Sequence, residues 1–134
     1  MVRVWLVCGA LLGALGIGIG AFGAHWLQGA VKEWTSDPVE QARKLAVWEV
    51  AVRYQIYQGL ALLALGTLML HRASAWYNAA ASCMLVGTIV FSGCLYLLVL
   101  TGARWLGAVV PLGGVLMILG WLLLAIGCWR TLGR

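Results

Sequence analysis

Residues Leu106–Trp129 read LGAVVPLGGVLMILGWLLLAIGCW and contain no charged side chain. An α-helix needs about 20 apolar residues to cross the roughly 30 Å hydrocarbon core of a bilayer. Backbone polar groups in lipid must bond to one another, so only helices or closed barrels can span. Because this run lacks the alternation of a barrel strand, it predicts a membrane-spanning α-helix.

Three further apolar blocks precede this run and are separated by charged residues and histidines. The chain has 134 residues, of which 63% are hydrophobic and 10% charged, whereas a soluble domain averages about 45–50% apolar residues. The later connections are short, which favours antiparallel neighbours. We therefore expect an all-α integral membrane protein, a single transmembrane domain over residues 1–134 folded as an antiparallel, up-down four-helix bundle. The spans are predicted near residues 4–24, 49–70, 77–100 and 106–129.

Tryptophan placement supports these boundaries. Indole rings concentrate at the two membrane–water interfaces, which accommodate both the apolar ring and its N–H group. The chain has eight tryptophans. Those at predicted span ends are Trp5, Trp26, Trp48, Trp76, Trp105 and Trp129.

The first span also has the features of a secretory signal. Arg3 precedes an apolar core, and small residues around Ala21 and Gly23 resemble a cleavage site. We interpret the segment as a membrane helix of the protein and not as a cleaved leader.

A polar segment, residues 28–48, connects the first two spans and is expected to lie at the membrane interface. Within it, Asp37-Pro38-Val39-Glu40 combines an N-cap residue, a proline at the first helical position and an acid three residues after the cap. Nothing then breaks the helix before His71, so it is predicted to run for roughly 50 Å, beyond the thickness of the bilayer. On its wet side we expect Glu40 and Lys44 to pair at i, i+4.

The basic residues indicate orientation only weakly. An even number of spans places both termini on one side of the membrane, together with the His71/Arg72 turn. The lysine and arginine totals of the two sides are nearly equal. Because Arg53 belongs to a span, the termini are predicted to be cytoplasmic, with the protein in the inner (cell) membrane. The terminal side holds Arg3, Arg72, Arg130 and Arg134, and the opposite side holds Lys32, Arg43, Lys44, Arg53 and Arg104 with all four acids.

Three sequence patterns argue against nucleic-acid binding, a metal site and a dinucleotide cofactor. The net charge of +5 comes from basic residues scattered in ones and twos, not from a patch. The four cysteines lie inside apolar runs without CxxC spacing, so no metal site is predicted. Gly18–Gly23 matches GxGxxG, but a dinucleotide site requires a preceding strand and this match lies inside an apolar span.

The same glycines favour helix packing. Small residues that recur every four or seven positions let membrane helices approach closely. Two such faces predict two tight contacts, inside the monomer or between subunits. The predicted packing glycines are Gly9, Gly13, Gly16 and Gly20 in the first span, and Gly113, Gly120 and Gly127 in the fourth.

Polar residues inside spans are the candidates for a site, because they are costly in lipid and usually have partners. The predicted group gathers in one half of the bilayer. In one interpretation its members bond to one another and fix helix register, with the histidine merely interfacial; in the other they line a ligand pocket. The candidates are His25, Glu49, Arg53, Tyr54, Gln55, Gln58, Ser92 and Tyr96.

Four segments carry a family resemblance. They are Gly20-Ala-Phe-Gly-Ala-His25, Ala51-Val-Arg-Tyr-Gln55, Phe91-Ser-Gly-Cys-Leu-Tyr96 through Gly102, and Pro111-Leu-Gly-Gly114 through Trp121. In this order they resemble the YgdD and YwdK family of small bacterial inner-membrane proteins, the domain of unknown function 423, which has a vertebrate relative in transmembrane protein 256. The resemblance implies a multi-pass membrane protein and no established reaction. The family often has histidine where this chain has Gln58, so any proton transfer or metal binding by that histidine would be lacking.

These patterns give an order of functional hypotheses. The first is a non-enzymatic structural or accessory protein whose glycine faces pack against itself or a partner membrane protein. The second is a bundle that binds or transports a small molecule, ion or lipid through the polar group. An enzyme is third, because no carboxylate pair, histidine-rich set or Ser/His/Asp arrangement is present. The expected partners are membrane lipids and a second copy or another membrane protein.

Overall fold

The computed structural model describes residues 1–132, and the backbone forms helices throughout, apart from short connections. Over these residues the prediction of an all-α protein is confirmed; the predicted position of Arg134 lies outside them. The elements are α1 (Val2–Phe22), a π-helical turn (Gly23–Leu27), α2 (Gln28–Trp34), α3 (Pro38–His71), α4 (Ala75–Thr101) and α5 (Leu106–Leu132).

Within residues 1–132, three helical stretches are long and apolar enough to cross a membrane. They are Val2–Trp34, Ala75–Thr101 and Leu106–Thr131. The predicted second span lies in α3, which is not among them, because its first half carries charged side chains from Glu40 to Arg53 and its apolar run begins only after Gln58.

The first helix runs further than its predicted span. Backbone hydrogen bonding continues through the π-helical turn into α2, since the chain has no proline or other strong break before Thr35. Residues 28–48 are therefore helical on both sides of a short break. The Asp37 side chain accepts from the Val39 N–H at 3.0 Å and starts α3, which confirms the predicted helix start.

Helices α1 and α3 pack antiparallel, so that the start of α1 contacts the second half of α3. A Cβ on Gly9 would lie 2.8 Å from the Gly59 carbonyl oxygen, and one on Gly20 would lie 3.2 Å from the Val52 side chain. At Gly9 the two backbones are so close that only glycine fits, whereas at Gly20 the neighbour is a side chain. The tight pairing sets the position of every α3 side chain that faces α1.

Helices α4 and α5 form the most extensive contact. A Cβ on Gly113 would lie 2.5 Å from the Phe91 backbone nitrogen, and one on Gly120 would lie 3.0 Å from the Ala80 carbonyl oxygen. Between them the chain turns at Gly102, whose φ of 71° is the left-handed conformation that favours glycine. Helix α3 contacts both α1 and α4.

Candidate functional site

A polar junction joins α1, α3 and α4 around Gln55. Its side-chain N–H donates to the Leu12 carbonyl oxygen at 2.9 Å, and its Oε1 accepts from the Tyr96 hydroxyl at 2.8 Å. Gln55 is only 5% exposed. The amide thus satisfies a donor and an acceptor at once, and it ties three helices together.

Ser92 lies beside this junction. Its hydroxyl donates to the Ala51 carbonyl oxygen at 2.8 Å, a buried bond between α4 and α3. The Tyr96 ring also packs 4.8 Å from the Trp48 ring, centroid to centroid. Of the predicted site residues, the structure therefore brings Gln55, Ser92 and Tyr96 together.

Gln58 lies one turn further along α3 and differs from Gln55. It is 4% exposed, and its Oε1 has no hydrogen-bond partner. It lines a cleft of about 280 Å³ with Tyr54, another predicted site residue. The other lining residues are Phe91 of α4 and Gly114, Met117, Ile118 and Trp121 of α5.

The remaining predicted site residues lie on the surface. Glu49 and Arg53 form an i, i+4 ion pair whose side chains are 68% and 49% exposed. Such pairs contribute little, because solvent competes with the interaction. His25 is exposed on the π-helical turn.

The start of α3 carries a second group of charges. Arg43 donates to both Glu40 oxygens at 2.7 Å, and this bidentate contact holds the pKa of the Glu40 carboxyl below its usual range. The predicted Glu40–Lys44 pair is wrong. Lys44 instead turns inward, where it donates to the Val99 carbonyl oxygen at 3.2 Å and lies over the Trp34 ring, so Glu40 pairs with the residue at i+3.

The predicted glycines lie inside the chain's own helix contacts. Gly9, Gly16 and Gly20 face α3, and a Cβ at Gly16 would meet the Ile56 side chain at 2.7 Å. At Gly13 a Cβ would meet nothing within 4 Å, so only its backbone lies near α3. Gly113, Gly120 and Gly127 face α4.

Sequence reasoning missed the role of Trp48. It was assigned to the aromatic belt, but it is buried, and its indole N–H donates to the Ile19 carbonyl oxygen at 3.1 Å. The ring fills a notch at Gly23, where a Cβ would lie 2.5 Å from it. The lining residues Phe91, Met117 and Trp121 were also missed, since apolar residues on an apolar helix give no separate signal.

Among residues 1–132, no group of three His, Cys, Asp or Glu side chains could hold a metal ion. The cysteines Cys8, Cys83, Cys94 and Cys128 are all free and partly buried.

Comparison with known proteins identifies the family. The family model described as "Protein of unknown function (DUF423)" matches residues 19–114, which include Gln55, Gln58, Ser92 and Tyr96. Leu12 of the junction and Met117, Ile118 and Trp121 of the cleft lie outside the matched range. The chain belongs to this family. The resemblance seen in the four sequence segments is therefore confirmed.

Relatives in the family extend the match to nearly the whole chain. A UPF0382 membrane protein of Staphylococcus aureus is 41% identical over 98% of this chain and 99% of its own length. Those of Staphylococcus saprophyticus and Staphylococcus haemolyticus are 41% and 39% identical, over 96% and 98% of this chain and 98% and 99% of their own. No solved structure matches the chain. The protein is thus a helical membrane protein of a family whose function is not assigned.

Proposed function

We propose that this protein is a non-enzymatic structural or accessory component of the inner membrane, folded as an antiparallel, up-down bundle in which α1, α3, α4 and α5 all cross the bilayer. The Gln55 junction carries this proposal, because its polar groups bond to one another across three helices. A catalytic site keeps an acid, base or nucleophile available to the substrate. Here each group of the junction is already bonded.

The burial of its polar side chains supports the proposal that α3 crosses the bilayer. Gln55 and Gln58 face neighbouring helices and not the outer surface, as polar residues inside a membrane normally do. The charged side chains from Glu40 to Arg53, including the exposed pair Glu49 and Arg53, all lie in the first half of the helix. A helix of 34 residues spans roughly 50 Å, so this charged half fits in the interface while the second half, Tyr54 to His71, is about 27 Å long and crosses.

Reverse-order contacts support the up-down topology. Gly9 meets Gly59 while Gly20 meets Val52, and on the other side of the bundle Gly87 meets Gly113. With an even number of crossings, both termini lie on one side, which we assign to the cytoplasm. The orientation rests on the basic residues.

The outward face of α1 supports a protein partner. Except for Gly13, the packing glycines are occupied by the chain's own helices, so those six are not available to another subunit. A second row of small residues, Ala10, Ala14, Gly18 and Ala21, remains exposed. Since small residues permit close approach of membrane helices, this face suits a second copy or another membrane protein, while lipids cover the remaining apolar surface.

Native mass spectrometry of nanodiscs drawn directly from the native membrane tests this proposal. The wild-type chain is expected above its monomer mass, and Gly18→Leu is expected to release the monomer with unchanged thermal melting, because a Cβ there meets nothing within the chain. Gly29→Leu is the matched control, since Gly29 is equally open but lies in α2. A wild-type chain found only as a monomer, or a complex that survives Gly18→Leu, would contradict the proposal.

One observation favours a second candidate, a binding bundle. The unpartnered amide of Gln58 lines a cleft that the packing role does not require. This candidate does not exclude an accessory role.

A further inference from the structure

Within residues 1–132, the Oε1 atom of Gln58 is the one buried side-chain oxygen or nitrogen without a hydrogen-bond partner. Gln55, one turn away on the same helix and equally buried, has both ends of its amide bonded. The buried Oε1 atom of Gln58 has no hydrogen-bond partner. Burying an unpaired polar atom is costly, and natural proteins keep few of them. A group of this kind therefore indicates a partner that is not part of the chain.

The cleft beside Gln58 has the size of a small-molecule head group. Its volume is about 280 Å³. Ligand pockets begin at roughly 300 Å³, and an apolar cavity of about 150 Å³ already holds a benzene ring. The cleft thus fits one substituted ring and excludes a larger polar head.

The opening of the cleft faces the surface that the bundle presents to lipid. Ile118 and Trp121 on α5 line it and are 61% and 49% exposed. Gln58 lies in the middle third of α3, away from the charged turns at the helix start. A ligand would therefore enter from the hydrocarbon, with its chain left among the lipid tails.

The walls select the chemistry of that ligand. No charged side chain lines the cleft, so a charged head would be buried without a counter-ion, which is strongly unfavourable. The rings of Tyr54 and Phe91 lie 5.1 Å apart, centroid to centroid, and Trp121 adds a third aromatic surface. Aromatic surfaces of this kind stack with a ligand ring, and the Oε1 atom needs a hydrogen-bond donor.

We infer that the cleft between α3, α4 and α5 binds the head group of a neutral lipid phenol, a single aromatic ring with a hydroxyl on an apolar chain. The Oε1 atom is shielded in the empty cleft, so binding includes a rotation of the Gln58 amide about its terminal bond. The hydroxyl then donates to Oε1 while the ring stacks among Tyr54, Phe91 and Trp121. Lipid hydroquinones belong to this class. The inference goes beyond the accessory role and relies on it only for the placement of α3 in the bilayer.

Photolabelling of the full chain in nanodiscs tests the inference. The probe is a para-alkylphenol with a diazirine on its chain, used with two competitors, its O-methyl ether and the matching alkylcyclohexanol. Saturable labelling of peptides containing Phe91 or Trp121 is expected, together with at least tenfold weaker competition by the ether, which cannot donate. Weaker competition by the cyclohexanol is expected as well, because it cannot stack; equal competition by either compound would overturn the assignment of a phenol.

Two variants connect the labelling to this cleft. Gln58→Met should lower the affinity at least tenfold while raising the melting temperature without ligand, since the orphaned oxygen is removed. Gly114→Leu should block labelling by filling the cleft, because a Cβ there makes ordinary contact with the Phe91 ring at 3.8 Å. Gly107→Leu, open on the same helix, is the control that should label as the wild type does.

Two results would contradict the inference. A folded wild-type chain without saturable labelling would mean that only water meets Gln58, and unchanged labelling of Gln58→Met would place the phenol elsewhere. Either result overturns the inference. Both results differ from a failure of the proposed accessory role, because that role is tested by the mass of the assembly and not by ligand binding.

Discussion

Gly113→Ala is expected to destabilise the protein by about 3 kcal/mol or more, the upper range for overpacking a closed contact. The added methyl group would lie 2.5 Å from the Phe91 backbone nitrogen and 2.8 Å from the Gly87 carbonyl oxygen. Neither neighbour is a flexible side-chain end. Helices α4 and α5 would have to separate, and their contact is the most extensive one in the fold.

The adjacent glycine provides a matched control. A Cβ on Gly114 would meet only the Phe91 ring, at 3.8 Å. Gly114→Ala should be neutral or stabilise by up to about 1 kcal/mol, the difference in helix propensity. Unfolding in mixed micelles with increasing SDS measures both variants; equal free energies for Gly113→Ala and Gly114→Ala would mean that the α4–α5 contact is not as close as described.

Gln55→Met is expected to lower the free energy of unfolding by about 2 kcal/mol. The nearly isosteric thioether leaves the Tyr96 hydroxyl and the Leu12 carbonyl without their side-chain partner. Gln58→Met, the same change one turn away, should have the opposite sign, because there the wild-type amide oxygen is unpaired.

A double-mutant cycle isolates the junction bond. Tyr96→Phe removes the hydroxyl that donates to Gln55. Hydrogen bonds between membrane helices are worth about 0.6 kcal/mol on average and up to ~1.7, so the two substitutions should be less than additive by that amount. Strict additivity, or a loss of stability in Gln58→Met equal to that in Gln55→Met, would contradict the contrast between the two amides.

The sequence was informative where local chemistry decides the structure. Asp37 before Pro38 predicted the start of α3, because a cap and a proline act within one turn. Glycine spacing predicted the existence of close contacts, since only small residues allow them. The resemblance carried by segments such as Ala51–Gln55 predicted the family.

The sequence was uninformative where the partner of a side chain is chosen by tertiary packing. Trp48 has the sequence position of an aromatic-belt residue, yet its ring is buried because it packs into the space beside Gly23. Lys44 has a carboxylate at i−4, yet a carbonyl of α4 accepts from it. Gln55 and Gln58 look equivalent in the sequence, and only the neighbouring helices distinguish the bonded amide from the orphaned one.

The central claim is that α3 crosses the bilayer, and cysteine accessibility tests it most directly. Single cysteines are introduced into a chain whose native cysteines are replaced by alanine, one at Lys32 in α2, shortly before α3 begins, and one at His71, where α3 ends. A membrane-impermeant maleimide in intact cells then reports on which side of the membrane each position lies. We expect Lys32→Cys to be labelled from outside and His71→Cys only after the membrane is opened. If both positions were labelled from the same side, α3 would not span the membrane, and the four-helix transmembrane bundle would be contradicted.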